Sequence, residues 1–187
     1  IAARKALDPF GAAILGAVTG MGGGTLRDLI LGALPVYWVS SPEYLAVALA
    51  GGIAGYYATA FVENGKGTRR ALLTWADAMG LSVFCVIGAQ AGLTAGAHWG
   101  IAVLTGVMSA AFGGLVGDII VNEVPLVLRA EIYALAALAG AGAYVAMTQA
   151  LKLEAGLATL CAAAVAFGLR GCAILFRWSL PAIGRIE

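Results

Sequence analysis

Charge is what this chain has least of. Only 11% of its 187 residues are Asp, Glu, Lys or Arg, against roughly 25% in an ordinary soluble domain, while 61% are hydrophobic and the mean hydropathy is +0.94. That shortfall excludes a soluble globular fold. The net charge is +1, so nothing suggests a basic surface for nucleic acid. Histidine occurs once, as His98 between two apolar runs. The three cysteines, Cys85, Cys161 and Cys172, sit inside apolar segments without metal-ligand spacing and read as packing residues. No base for nucleophilic or metal chemistry stands out. The string Gly22 to Asp28 lacks the Lys-Ser/Thr ending of a phosphate-binding loop, and Gly113-Gly114-x-x-Gly117 has no βαβ context. An enzyme is therefore not expected, nor a cofactor or resident metal. Alternating apolar and polar residues are absent too, which excludes a transmembrane β-barrel.

What is abundant is glycine, 27 residues of it, with alanine throughout, as in helices that pack backbone against backbone in lipid. Taking about 20 apolar residues per crossing, the expected membrane segments run from Phe10 to Leu34, Glu43 to Val62, Ala71 to Leu93, Trp99 to Val124, Glu131 to Leu151 and Ala155 to Phe176. The class is an all-α polytopic membrane protein, a single transmembrane domain over residues 1–187.

The chain is a duplication. The string Gly22-Gly23-Gly24-Thr25-Leu26-Arg27-Asp28 has a partial copy ninety positions on, at Phe112-Gly113-Gly114-Leu115-Val116-Gly117-Asp118, and the same offset superposes Gly16 on Gly106 and Pro35 on Pro125. Beyond the prolines the offset becomes 88, aligning Glu43 with Glu131 and Tyr56 with Tyr144. The second repeat, residues 66–152, has three helices; the first, residues 1–65, lacks most of its first helix, whose counterpart is expected before Ile1. Residues 153–187 supply a seventh helix and tail. A repeat with an odd number of crossings re-enters the membrane inverted. Placing the start of the Phe10 segment inside puts Arg4, Lys5, Lys66, Arg69, Arg70, Arg129, Arg177 and Arg185 on the cytoplasmic side and only Lys152 outside, as the positive-inside rule requires. The C-terminus is then cytoplasmic. Trp38 and Trp99 fall at the outer boundary and Trp178 at the inner.

Setting aside Glu43, Glu123 and Glu131 at the segment ends, five charges fall within the spans: Arg27, Asp28, Asp77, Asp118 and Arg170. Such residues are rare and by default functional. Glycine costs about 1 kcal/mol in a helix interior, so clusters at matching points of two repeats predict paired helix breaks at Gly22, Gly23 and Gly24 and at Gly113 and Gly114. Each carboxylate, Asp28 or Asp118, would lie about 6 Å beyond its break at 1.5 Å per residue. The result is two acidic stations in opposite halves of a pathway through the repeat interface. Arg27 aligns with Gly117, breaks the symmetry and supplies a local counter-charge or gate; Asp77 and Arg170 are a further gate or counter-charge. The alternative makes these residues buried structural ion pairs, Arg27 with a carboxylate and Asp77 or Asp118 with Arg170.

The string Arg4-Lys5, Leu7-Asp8, Gly22 to Asp28, Pro35 and Trp38, with Gly113-Gly114 and Asp118 in the second half, resembles the prokaryotic branch of the trimeric intracellular cation (TRIC) channel family. The resemblance covers essentially the whole chain. It implies a homotrimer in the inner membrane with a pore in each subunit, two inverted three-helix repeats plus a seventh helix, and conduction of monovalent cations, potassium or sodium, mainly potassium. Related sequences have also been labelled glycine transporters, so a small-solute secondary transporter stays open beside the channel.

Overall fold

The structure, a computed structural model, describes residues 7–61, 66–129 and 131–178. Helices occupy all six expected segments: α1 (Pro9–Leu31), α3 (Glu43–Phe61), α4 (Lys66–Thr94), α5 (Trp99–Ile120), α7 (Glu131–Val145, continued by a π-helical turn, Ala146–Ala150) and α8 (Ala155–Phe176). Two short helices, α2 (Tyr37–Ser40) and α6 (Leu126–Arg129), follow the two repeated prolines. Among the described residues there is no strand. By length and hydropathy α4, α5, α7 with its π turn and α8 are each able to cross a membrane. The loop charges Arg4, Lys5 and Arg185 lie outside the described residues, as do the side chains of Lys66, Arg69, Arg70 and Arg129.

Local chemistry sets the helix ends. Asp8 caps α1 by accepting from Gly11 N at 2.6 Å, with Pro9 in the first turn where its missing N–H costs nothing. Helices α1 and α5 stop short of the expected Leu34 and Val124, each in a Schellman motif. Gly32 (φ 67°) and Asn122 (φ 53°) take the left-handed conformation. Gly32 N then donates to Leu29 O and Ala33 N to Asp28 O, while Asn122 N donates to Ile119 O and Glu123 N to Asp118 O. These residues pair at the ninety-position offset. Glycine and asparagine are the residue types that reach φ > 0 most cheaply.

The interior is built from small side chains. Ala78, Ala89, Ala102, Ala136, Ala137, Ala141, Ala158, Ala162 and Ala166 are fully buried, while Ile14, Val47, Leu72, Leu104, Leu160 and Phe176 face outward. That inversion of a soluble core is what packing in lipid favours, because outside hydrocarbon is as apolar as leucine. Helix α5 is the hub, packed against α1, α4 and α7, and α8 covers α4 and α7. Two-fold related contacts mark the crossing of α1 and α5. A Cβ on Gly23 would collide with Ser109 O, and one on Gly113 with Thr19 O; at the ninety-position offset Gly23 is the counterpart of Gly113 and Thr19 of Ser109. Reciprocity of this kind, i on j and j on i, is the mark of a two-fold axis. The surroundings of the pair differ, since Ser109 is buried and Thr19 exposed.

Candidate functional site

The expectation of broken helices is corrected here. Helix α1 continues through Gly22, Gly23 and Gly24, and α5 through Gly113 and Gly114. What the glycines provide is proximity. Besides the reciprocal pair, a Cβ on Gly22 would stand 3.4 Å from Gly113 Cα, and one on Gly117 would strike Thr19 Oγ1. A hydrogen in place of the methyl lets the two backbones touch, within reach of the weak Cα–H···O contacts found at helix crossings. Gly114 has open space around it and takes no part. Glycine's cost in a helix is thus offset by an interhelical approach, with no backbone group freed.

At the α2 end of this crossing the remainder of the string folds back on α2. A Cβ on Gly24 would come within 2.7 Å of the Tyr37 ring, so glycine there makes room for that ring. Thr25 Oγ1 donates to Met21 O and accepts from Trp38 Nε1 at 3.0 Å. Arg27 donates from both Nε and NH2 to Asp28 Oδ1, at 2.8 and 2.6 Å, and lies 5.7 Å from the Tyr37 ring. The other Asp28 oxygen accepts from Tyr37 N at 2.9 Å. Arg27 and Asp28 are 8% and 5% exposed. The expected outer acidic station is therefore a neutral, fully engaged pair, and Arg27 is its counter-charge. Trp38, expected as a boundary tryptophan, also ties α2 to α1.

The α6 end repeats the scaffold without the neutralisation. Asp118 Oδ2 accepts from Leu126 N at 3.0 Å, capping α6 as Asp28 caps α2. Gly117 stands where the α2 end has Arg27, so no guanidinium adjacent in sequence locks Asp118. Opposite it, Tyr133 on α7 donates its phenol to Asp77 Oδ1 on α4 at 3.1 Å, and Arg170 on α8 lies 5.0 Å from the Tyr133 ring. Asp77 Oδ2 and Arg170 Nε are both buried without a hydrogen-bond partner. Among the described residues the ion pair expected between Arg170 and Asp77 or Asp118 does not form; Arg27–Asp28 does. The α6 end thus gathers two carboxylates and one guanidinium, the α2 end one of each. Tyr37 and Tyr133 were not singled out from sequence. For Tyr37 a signal existed, its place directly after the repeated proline loop; for Tyr133 the only hint was that a buried phenol needs a polar partner. Among the described residues no cluster of metal-ligating side chains occurs.

A family model described as glycine transporter matches residues 1–60 and 74–149. The UPF0126 inner membrane protein YadS of Escherichia coli strain K12 is 34% identical over 97% of this chain and 86% of its own length. A UPF0126 membrane protein of Vibrio cholerae is 35% identical over 97% of this chain and 74% of its own. Among solved structures, the TRIC trimeric intracellular cation channel orthologue from Rhodobacter sphaeroides superposes with a TM-score of 0.86 at 42% identity, over 95% of this chain and 89% of that one. A prokaryotic TRIC channel solved in 0.5 M KCl superposes with a TM-score of 0.84 at 30% identity, over 96% and 88% of the two chains.

Proposed function

We propose, given that this chain belongs to the family the glycine-transporter model describes and within it is a homologue of the prokaryotic TRIC channels, that it is a monovalent-cation channel of the inner membrane. It works as a homotrimer with a path in each subunit, and the ion it carries is potassium. The path runs beside the crossing of α1 and α5, from the Tyr37–Trp38 lid at the outer end to Asp118 at the inner. The C-terminus faces the cytoplasm.

The observation that carries this reading is the charge asymmetry between two otherwise equivalent ends. A carboxylate in low dielectric concentrates cations only when no fixed counter-charge cancels it, since two unit charges 4 Å apart interact by about 4 kcal/mol even at an effective dielectric of 20. Asp28 is cancelled by Arg27 at 2.6 Å, whereas Asp118 is not. On this reading Asp118 at the inner mouth selects cations, and the outer end is a structural clasp. The hydroxyls of Thr19 and Ser109 at the crossing supply polar steps between the two.

The test is the reversal potential across a planar bilayer under a potassium chloride gradient. Asp118→Asn is expected to move it toward the chloride value and Asp28→Asn to leave it in place. A second reading, uptake of glycine or a similar small solute by alternating access about the same two-fold axis, is favoured by the description of the family model. It predicts saturable uptake into vesicles that are electrically silent.

A further inference from the structure

The two in-span arginines are held in opposite ways. Arg27 is locked, giving Asp28 Oδ1 two charge-assisted hydrogen bonds, from Nε and NH2. Arg170 is just as deeply buried, 6% exposed, yet its Nε has no partner and among the described residues it forms no ion pair. What surrounds it is a set of cation-attracting groups at arm's length. The Tyr133 ring lies 5.0 Å from its Cζ, within the range of a cation–π contact. The Tyr133 phenol holds one oxygen of Asp77, leaving the other buried and free. A buried arginine that served structure alone would be expected to saturate a carboxylate, because a buried charge with unmet N–H groups is costly.

We propose that Asp77 and the face of Tyr133 form a binding site for a monovalent cation, and that Arg170 is its tethered occupant, which a free cation of the same chemistry replaces when the tether is cut. The aromatic face selects a planar, weakly hydrated cation such as guanidinium over sodium, which holds its water tightly. The site stands on its own as a binding site; only its effect on current rests on the channel reading. In that setting Arg170 on α8 occupies an ion position at the inner mouth, and its withdrawal admits the permeant ion.

The experiment uses the full chain with Arg170→Ala, purified in detergent, and guanidinium chloride in the low millimolar range against sodium chloride of equal ionic strength. Guanidinium is expected to raise the melting temperature of Arg170→Ala in proportion to the logarithm of its concentration. Sodium should not, and neither the wild type nor the Asp77→Asn/Arg170→Ala double variant should respond. If Arg170→Ala does not yield folded protein, Arg170→Gln, closer in size, carries the same comparison. No rise specific to guanidinium, or an equal rise in wild type, overturns the proposal. In bilayers, guanidinium on the side of the α8 C-terminus should reduce the potassium current of Arg170→Ala about twofold at a concentration equal to its dissociation constant, and leave wild type unaffected. A silent wild type would count against the channel reading, while the melting temperatures still decide the site.

Discussion

Whether a carboxylate buried in a membrane can hold an ion depends on its immediate partners more than on its depth. Asp28 has both oxygens engaged, by Arg27 and by Tyr37 N, and Asp118 has one on Leu126 N. Removing one member of a buried pair leaves the other uncompensated, at about 3–5 kcal/mol. Asp28→Asn is accordingly expected to lower the unfolding midpoint in detergent strongly and to leave ion preference alone; Asp118→Asn should do the reverse. Equal effects of the two variants on reversal potential would contradict the assignment. The asymmetry behind this was legible in the sequence, where Arg27 aligns with Gly117. The partners were not, since Tyr133 and Asp77 stand 56 positions apart on different helices, and only the packing of α4 against α7 brings them together.

At the scale of the helices the decisive contact is the crossing of α1 and α5. A methyl on Gly23 or Gly113 would strike backbone, which cannot swing aside as a side chain can. Overpacking of this kind costs about 1–3 kcal/mol, more than the roughly 1 kcal/mol that alanine returns in helix propensity. Gly23→Ala and Gly113→Ala should therefore lower stability and perturb currents together, while Gly114→Ala, with nothing near its Cβ, should be neutral or stabilising. Thermal unfolding of the three variants separates them, and a destabilised Gly114→Ala would be against this account. The register of the glycines was readable from the duplication, but their role was not: the same residue breaks a helix or admits a neighbour, and the identity of the neighbour decides. Helix α8 carries its own test. Glu154 accepts from Gly156 N and Leu157 N, and these bonds hold its carboxyl below its ordinary value of 4.5. Because the folded value is depressed, the cap stabilises above that pH and is lost as pH falls through the folded value. The difference in melting temperature between wild type and Glu154→Gln should shrink below pH 4.5, and a difference that persisted or grew would place the stabilisation elsewhere.

For the molecule as a whole, a two-fold scaffold carries unequal charge at its two ends, and that inequality gives an inverted repeat a direction. Composition was enough to read an all-α membrane protein, and the glycine and proline register was enough to read its duplication. The short helices α2 and α6 escaped, because four-residue helices have too few turns to show periodicity. Orientation rests on loop charge, so a cysteine at Lys152 should react with an impermeant thiol reagent in intact cells and one at Arg177 should not, in a background lacking the three native cysteines; labelling at both, or only at Arg177, would invert or dissolve the topology. The central claim, conduction selected at the inner carboxylate, is tested most directly by recording the purified protein in a planar bilayer under a potassium chloride gradient. The account predicts unitary steps that reverse near the potassium equilibrium potential in wild type and shift toward chloride in Asp118→Asn. Vesicles that take up glycine saturably while the bilayer stays silent, or steps whose reversal ignores Asp118, would contradict it.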